Sequence, residues 1–466
     1  MSTVQNWVNR HGVTYTVVYD STGHVCERFG GGWPVFIIVD RFMQFQDFKF
    51  FYPDQFDESY MRSQIDRYLA KKIRMIQVML DDSQGNSDAI LNCGETAHLF
   101  VELENACIEP SLSNLRGSLE SEDTHIILEK DETLFNTIPG HGSGNNSHDP
   151  FIIGLDLASG PHYASLELVI DTEPSHKDTF TFRLPVGNPD ILLIDDNGGM
   201  SYEQYYERCL FHADKVHHEW DMRSQDIQSL DLSEYEILIW FTGDEQDSTL
   251  TAKEQDLLTE YLDGGGHLII SGQNIGFDLV THGSMDDSLF HVNYLHADYV
   301  SDSIEESFLC GIQGDPITAD FPFLPIDENQ SSLSVITPRE GASPILVYHM
   351  CRETAAIKYE GNHKVVYLAL GFEGIRTMSG DDDEFRGIFM NKIIQWLRYV
   401  PTKGDVNGDD AINILDVIQT VNIILGISDP TDTESWTADC NDDGMVNVFD
   451  ALGIVNVILG IGTCLP

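Results

Sequence analysis

The rhythm of apolar and polar positions divides the chain into four stretches. In residues 1–75 the continuous run Pro34-Val-Phe-Ile-Ile-Val-Asp40 reads as a buried strand. Val13 to Tyr19 and Phe45 to Tyr52 read as further strands, and Val4 to Arg10 and Glu58 to Lys72 as helices. In residues 76–188 the period becomes two. Ala97 to Asn105 alternates as a strand with one buried face, and Arg116 to Glu120, His125 to Leu128, Phe151 to Leu155, Ala164 to Asp171 and Thr179 to Val186 follow it. Turn residues separate these runs, and Gly140 to Asn146 reads as an exposed loop. Short alternating strands at this spacing predict a β-sandwich.

Residues 189–400 alternate buried strands with helices. Ile191 to Ile194 leads into Asp195-Asp196-Asn-Gly-Gly199, and Ile237 to Phe241 into Thr242-Gly243-Asp244. His267 to Ser271 leads into Gly272-Gln273-Asn274, and Val365 to Leu370 is a later strand. Helices are expected after Asp196, at Ala252 to Leu262 behind a Thr251/Glu254 capping box, and at Phe385 to Leu397. This order predicts a parallel, doubly wound sheet whose functional edge lies where its strands end, at the Asp195, Gly243 and Gly272 loops.

Residues 401–466 carry one device twice. Asp405, Asn407, Asp409, Asn413 and Asp416 stand at positions 1, 3, 5, 9 and 12 of a twelve-residue loop. Asp439, Asn441, Asp443, Asn447 and Asp450 repeat the spacing. Oxygen ligands so spaced, with an aliphatic residue at position 8 (Ile412, Val446), suit a hard cation that takes six to eight oxygens. Position 7 would add a backbone carbonyl. An apolar helical run follows each loop. Gly444 supplies the turn needed at position 6, whereas Asp410 there is strained, so the second loop is expected to bind more tightly.

Composition narrows the function. The chain has 466 residues, 42% of them hydrophobic, which is enough for several cores. Its net charge of −50 argues against nucleic acid and anionic membranes as partners and suits calcium and an extracellular medium. No run of eighteen apolar residues occurs, so no membrane span is expected. The eight cysteines form no C-x-x-C pair. Cys93 and Cys107 are a candidate disulfide in an oxidising compartment, and so are Cys440 and Cys464. For the second pair, glycines at 460 and 462 let the chain fold back along the last helix.

At the paired loops the chain resembles a type I dockerin, a duplicated calcium-loop-and-helix module that docks onto cohesin domains. The resemblance covers roughly one seventh of the chain. It implies two calcium ions, a cohesin-type partner, export, and a cell-surface or extracellular setting in which such modules often serve polysaccharide breakdown. Positions 10 and 11 depart from the small hydroxyl residues common in that family: they are Ile414-Leu415 and Val448-Phe449.

Upstream resemblances are more partial. Phe29-Gly-Gly-Gly-Trp33-Pro34 and the strand behind it resemble a thioredoxin-like domain in which Pro34 would be the cis proline. The C-x-x-C of that family would precede residue 1, so 1–75 reads as an N-terminally truncated domain, with Cys26 a lone thiol and any signal peptide lost upstream. Residues 76–188 resemble immunoglobulin-like spacers of secreted bacterial proteins. Residues 189–400 resemble flavodoxin-like units of the class I glutamine-amidotransferase kind, whose nucleophile sits in Gly-x-Cys; the matching turn here is Gly272-Gln273, which holds no thiol. His212, His217 and His218, with Glu219 and Asp221, lack an i, i+4 pair and read as a poor metal set. The expected architecture is therefore multidomain: a partial thioredoxin-like α/β domain, a β-sandwich, a doubly wound α/β domain and a small all-α calcium module at 401–466. The expected function is calcium-dependent anchoring with non-catalytic upstream domains. The alternatives are a fragment of an exported hydrolase of polysaccharide or protein, and a fragment of a thiol-disulfide oxidoreductase.

Overall fold

In the computed structural model, the described residues are 35–39, 45–50, 73–105, 111–173, 176–225, 227, 230–302, 304–378, 380–409, 411–428 and 430–465. The expectations for Cys26, Pro34, Cys107, Asp410 and the helices at 4–10 and 58–72 lie outside them. The chain divides into two compact units, one of residues 1–89, 94–156 and 165–183, the other of 90–93, 157–164 and 184–466.

In the first unit, β1 (Val35–Val39) and β2 (Phe45–Phe50) form an antiparallel pair. β3 (Ile73–Asp81) runs across the 75/76 position and pairs along β4 (Thr96–Asn105). The remaining strands are β5 (Arg116–Ser121), β6 (Ile126–Lys130), β7 (Glu132–Leu134), β8 (Ser143–Asn145), β9 (Phe151–Leu155), β10 (His162–Glu173) and β11 (His176–Val186). They form two antiparallel sheets, ordered β3-β4-β9-β6 with β8 on β4, and β11-β10-β5-β7. Alternation fixes which face is buried: Leu99, Val101 and Leu103 on β4, and Leu166, Leu168 and Ile170 on β10, are all within 1% of full burial.

The second unit opens with β12 (Ile191–Asp195), α1 (Glu203–His212), β13 (His218–Asp221), β14 (Ile237–Gly243), α2 (Ala252–Asp263), β15 (His267–Gly272) and α3 (Met285–Asn293). β16 (Ala297–Ser301), β17 (Phe308–Gly311), β18 (Leu324–Pro325), β19 (Val335–Pro338), β20 (Ala342–Tyr348) and β21 (Thr354–Glu360) follow, then β22 (Lys364–Leu368) and α4 (Asp382–Arg398). Five strands run parallel in the order β13-β12-β14-β15-β22. The order reverses between β12 and β14, which sets a crevice at their carboxyl ends. β21, β20, β17 and β18 extend the sheet antiparallel, with β16 and β19 alongside. Sequence pattern did not reveal this extension, because its strands are short and divided by irregular loops.

A parallel strand covered on both faces must be apolar throughout. Ile191, Leu193, Ile237, Ile239 and Phe241 point to one core with Tyr206 and Leu210 of α1 and Phe389 and Ile393 of α4. Leu192, Ile194, Leu238 and Trp240 point to the other with Leu258 and Leu262 of α2 and Phe290 of α3. α4 is capped at its start by Asp381, whose carboxylate accepts the Asp383 and Glu384 N–H groups. At its end the buried Lys364 donates from Nζ to the carbonyls of Trp396 (3.0 Å) and Tyr399 (2.7 Å). A few residues later the chain enters α5 (Ile414–Ile424), α6 (Asp432–Ala438) and α7 (Val448–Ile458). Val406, Ala438, Cys440 and Ile454 form their small core, with Ile412, Val417, Ile423, Val446 and Cys464 against it. No helix among the described residues is long and apolar enough to cross a membrane.

Candidate metal centre

Each expected ligand set is gathered at a helix start. Asn413 caps α5 and Asn447 caps α7; their side-chain oxygens accept the Leu415 and Phe449 N–H groups. Three residues on, the position-12 carboxylate reaches back. Asp416 accepts the N–H of Asn413 at 2.7 Å on one oxygen and those of Val406 (2.8 Å) and Asn407 (3.1 Å) on the other. Asp450 repeats this with Asn447 (2.8 Å) and Asn441 (3.1 Å). The reciprocal cap is the reason Asp fits here: its short side chain serves the loop and the helix at once.

The position-1 carboxylate organises the opposite wall. Asp405 Oδ1 accepts the N–H groups of Gly408 (3.0 Å) and Asp409 (3.1 Å). Asp439 accepts those of Asp443 (3.1 Å) and Gly444 (2.9 Å). Positions 3 and 5 are joined, Asn407 Nδ2 to Asp409 Oδ2 at 2.8 Å and Asn441 Nδ2 to Asp443 Oδ2 at 3.1 Å. Gly444 adopts φ +80°, the turn expected at position 6.

The donor set fits a hard divalent cation. Asp405, Asp416, Asp439 and Asp450 are 2%, 0%, 7% and 0% exposed, so each twelve-residue loop buries the two carboxylates at its ends. Among the described residues no Lys or Arg forms an ion pair with Asp416 or Asp450, whose hydrogen-bond partners are backbone N–H groups. Buried charges of one sign call for a counter-ion. Oxygen ligands without sulfur or imidazole select calcium over softer metals.

The other expected residues separate differently. Asp195 is 3% exposed and accepts the Asn197 N–H; burial pushes its carboxyl up to about 6. Asp196 accepts from Trp240 Nε1 at 3.0 Å, and burial, reinforced by Glu254, pushes it up to about 8. Gln273, at the turn where a nucleophile was sought, is 0% exposed. It donates from Nε2 to Asn329 O (3.2 Å) and accepts the Ser332 N–H (2.8 Å), so it is a bracket between β15 and the 329–332 loop. His212 ends α1, His217 lies in the connection after it, and His218 on β13 contacts the Tyr235 hydroxyl at 2.8 Å. The metal-capable group the fold does assemble among the described residues is Asp247, Asp278 and His282, two of them exposed. Cys93 is not in a disulfide: it is a free thiol donating to Ser159 O at 3.0 Å, which corrects the expected Cys93–Cys107 pair.

Two residues were missed. Glu373, 1% exposed, accepts from Tyr206 Oη (3.1 Å) and Gln330 Nε2 (3.0 Å), and burial raises its pKa. Lys403 reaches the second loop from the start of the first. Periodicity marks neither, because both are lone charges whose partners are remote in sequence.

Residues 403–459 match the family model of the dockerin type I domain. No curated protein matches the chain. Among solved structures, a glutamine amidotransferase from Thermotoga maritima is similar at 15% identity over 44% of this chain and 83% of that one, with a TM-score of 0.29. One from Methylobacillus flagellatus is similar at 11% identity over 40% and 70%, TM-score 0.29. The ASH/PapD-like domain of human CEP192 is similar at 16% identity over 25% and 84%, TM-score 0.16.

Proposed function

We propose that this chain is a modular extracellular or cell-surface protein that is anchored to a cohesin-type partner by a dockerin folded around two calcium ions. Asp405, Asn407, Asp409, Asn413 and Asp416 hold one ion; Asp439, Asn441, Asp443, Asn447 and Asp450 hold the other. Calcium supplies the charge that neutralises the buried carboxylates and fixes the angle at which each helix leaves its loop. The chain's own residues do the rest: Asp416 and Asp450 join loop to helix, and the buried core of the module orients the two helices.

The observation that carries the reading is the outer face of those helices. In a chain of net charge −50, α5 and α7 bear no charged side chain except the two buried loop aspartates. Ile414, Leu415 and Ile418 are 61%, 53% and 51% exposed, and Val448, Phe449 and Leu452 are 57%, 69% and 54% exposed. The same positions recur 34 residues apart (448 − 414 = 34). Two uncharged apolar strips on helices held by cation loops suit an apolar protein surface as partner. Upstream, the two-sheet unit serves as an immunoglobulin-like spacer. The doubly wound unit is a flavodoxin-like, amidotransferase-like body without the thiol its relatives use, and acts as a non-catalytic cargo or binding domain.

Calorimetric titration of the calcium-stripped chain tests the reading. Two sites are expected, with one lost in Asp409→Ala and the other in Asp443→Ala; these exposed ligands can be removed without unmaking the caps. No heat at millimolar calcium would end it. Binding to a panel of cohesin domains, with and without chelator, tests the partner.

A further inference from the structure

We infer that Lys403 is a built-in counter-cation of the second calcium loop: it holds that loop's first ligand in place before calcium arrives and lowers the loop's affinity for the ion. The inference rests on the calcium reading of the two loops. In sequence Lys403 belongs to the first loop, two residues before Asp405. In space it belongs to the second. Gly404, at φ +100°, turns the chain, and its N–H donates to Thr437 O at 2.8 Å beside the end of α6. The lysine side chain, 4% exposed, runs over the Trp436 ring with Nζ 4.8 Å from the centroid.

Its ammonium group then meets three oxygens. Nζ donates to Asp439 O at 2.7 Å and to Asp442 Oδ1 at 2.9 Å, and lies 3.7 Å from Asp439 Oδ2. Two of the ammonium's three donors are thus hydrogen-bonded, and the Asp439 carboxylate stands at ion-pair distance. A charge this buried persists only when paired, and here its partner includes the carboxylate expected at position 1 of the second loop. The internal repeat provides a control. The residue equivalent to Lys403 before the second loop is Thr437 (403 + 34 = 437), which carries no charge.

Two consequences follow. Without calcium, Lys403 already neutralises part of the second loop and ties it to the segment that starts the first. An ion held by Asp439 would meet a fixed positive charge that lies 3.7 Å from that carboxylate, and a unit charge at such a range in a water-like dielectric shifts a binding constant by about tenfold. The lysine thus trades affinity at the second loop for order in the calcium-free module.

The full chain tests this in two backgrounds. Asp409→Ala leaves the second loop to be titrated and Asp443→Ala leaves the first. Lys403→Met is expected to raise second-loop affinity about tenfold, to leave the first loop unchanged, and to lower the module's calcium-free melting midpoint, read as loss of hydrogen-exchange protection in α5 and α7. Lys403→Arg, which keeps the charge, should behave as the parent does. If Lys403→Met does not fold, Lys403→Gln takes its place. Unchanged or weaker second-loop binding in the neutral variants overturns the inference, and so does calcium-free melting equal to that of the parent. Were the parent to bind no calcium at all, the reading of the loops would fail, and the calcium-free melt alone would decide the role of Lys403.

Discussion

Cys440 and Cys464 are bonded, with Cα atoms 4.6 Å apart across 24 residues of sequence. Cys440 is position 2 of the second loop; Cys464 lies beyond α7. The return is made at Gly460, φ +68°, and secured where the Leu465 N–H donates to Cys440 O at 2.8 Å. Gly453 on α7 leaves room for the Cys440 sulfur, since a Cβ there would lie 2.7 Å from it. The bond encloses all of the second loop after its first ligand and all of α7.

Reduction is therefore expected to loosen the second half of the module first. On the chain-entropy account, a closed loop of this size contributes roughly 3 kcal/mol. Cys464→Ser should lower the module's stability by about that amount and weaken calcium binding in the Asp409→Ala background more than in Asp443→Ala. Peptide mapping without reductant should recover the two cysteines linked. Alkylation of both in the folded, oxidised protein would contradict the structure.

How far the sequence could be read depends on the range of the interactions. The dockerin segment was legible because the candidate ligands of each loop lie within twelve residues and the pattern repeats. The parallel strands were legible as apolar runs, and α2 by the Thr251/Glu254 pair, whose Thr251 N–H meets Glu254 Oε2 at 2.6 Å. β16 to β21 were not, since their partners are set by tertiary pairing between short segments. Lys403 was invisible for the same reason: its neighbours in sequence point to the first loop, and only the fold delivers it to the second. That delivery also opposes the sequence expectation that Gly444 makes the second loop the tighter one. The turn favours it and the lysine disfavours it.

Stability of the doubly wound unit should fall as pH rises from about 6.5 to 8. Asp196 is pushed up to about 8 by burial, far above its unfolded value of 3.8, so between the two the folded state holds a proton that the unfolded state has lost. The native state binds more protons, and unfolding free energy must decrease with pH until Asp196 ionises. His217, His291 and His296, each lowered to about 4 by burial, give the opposite slope, but only below the ordinary histidine value of 6.5. Glu219, raised to about 7 by burial and the nearby Glu207, adds a slope of the same sign below about pH 7, so denaturant titration of the parent against Asp196→Asn between pH 7 and 8.5 reads the part due to Asp196. Asp196→Asn keeps an oxygen for Trp240 Nε1 and should flatten the slope; an unchanged slope would assign it elsewhere.

A thiol at position 273 is expected to cost stability and to bring no glutamine hydrolysis. Gln273 is fully buried and its side chain holds Asn329 and Ser332. Gln273→Cys should lose both bonds and destabilise the unit by about 1–3 kcal/mol, as buried groups left unsatisfied do. The parent is expected to show no glutamine hydrolysis. Turnover in either protein, measured as ammonia release and abolished by alkylation, would show that the turn at position 273 opens in solution.

The partner-binding face can be tested without removing any of the expected calcium ligands. Phe449 follows the cap Asn447 by two residues, is 69% exposed and is not among the residues of the module's core. Leu415 is its counterpart in the first repeat and is 53% exposed. Buried at an interface, an aromatic of this size supports a hot spot, and truncating one commonly costs 2 kcal/mol or more. A carboxylate in its place would in addition have to be desolvated against an apolar partner surface. Phe449→Glu is thus expected to weaken binding to a cohesin-type domain by at least about thirtyfold if α7 carries the contact, and Leu415→Glu to do so if α5 carries it. By the same electrostatics a carboxylate beside Asp416 or Asp450 should tighten calcium binding and not weaken it, so partner binding is compared at saturating calcium, where loss of the partner is not loss of the ion. If the double variant retains full affinity for a cohesin that the parent binds, the partner engages another surface, and the exposed apolar strips require a different occupant.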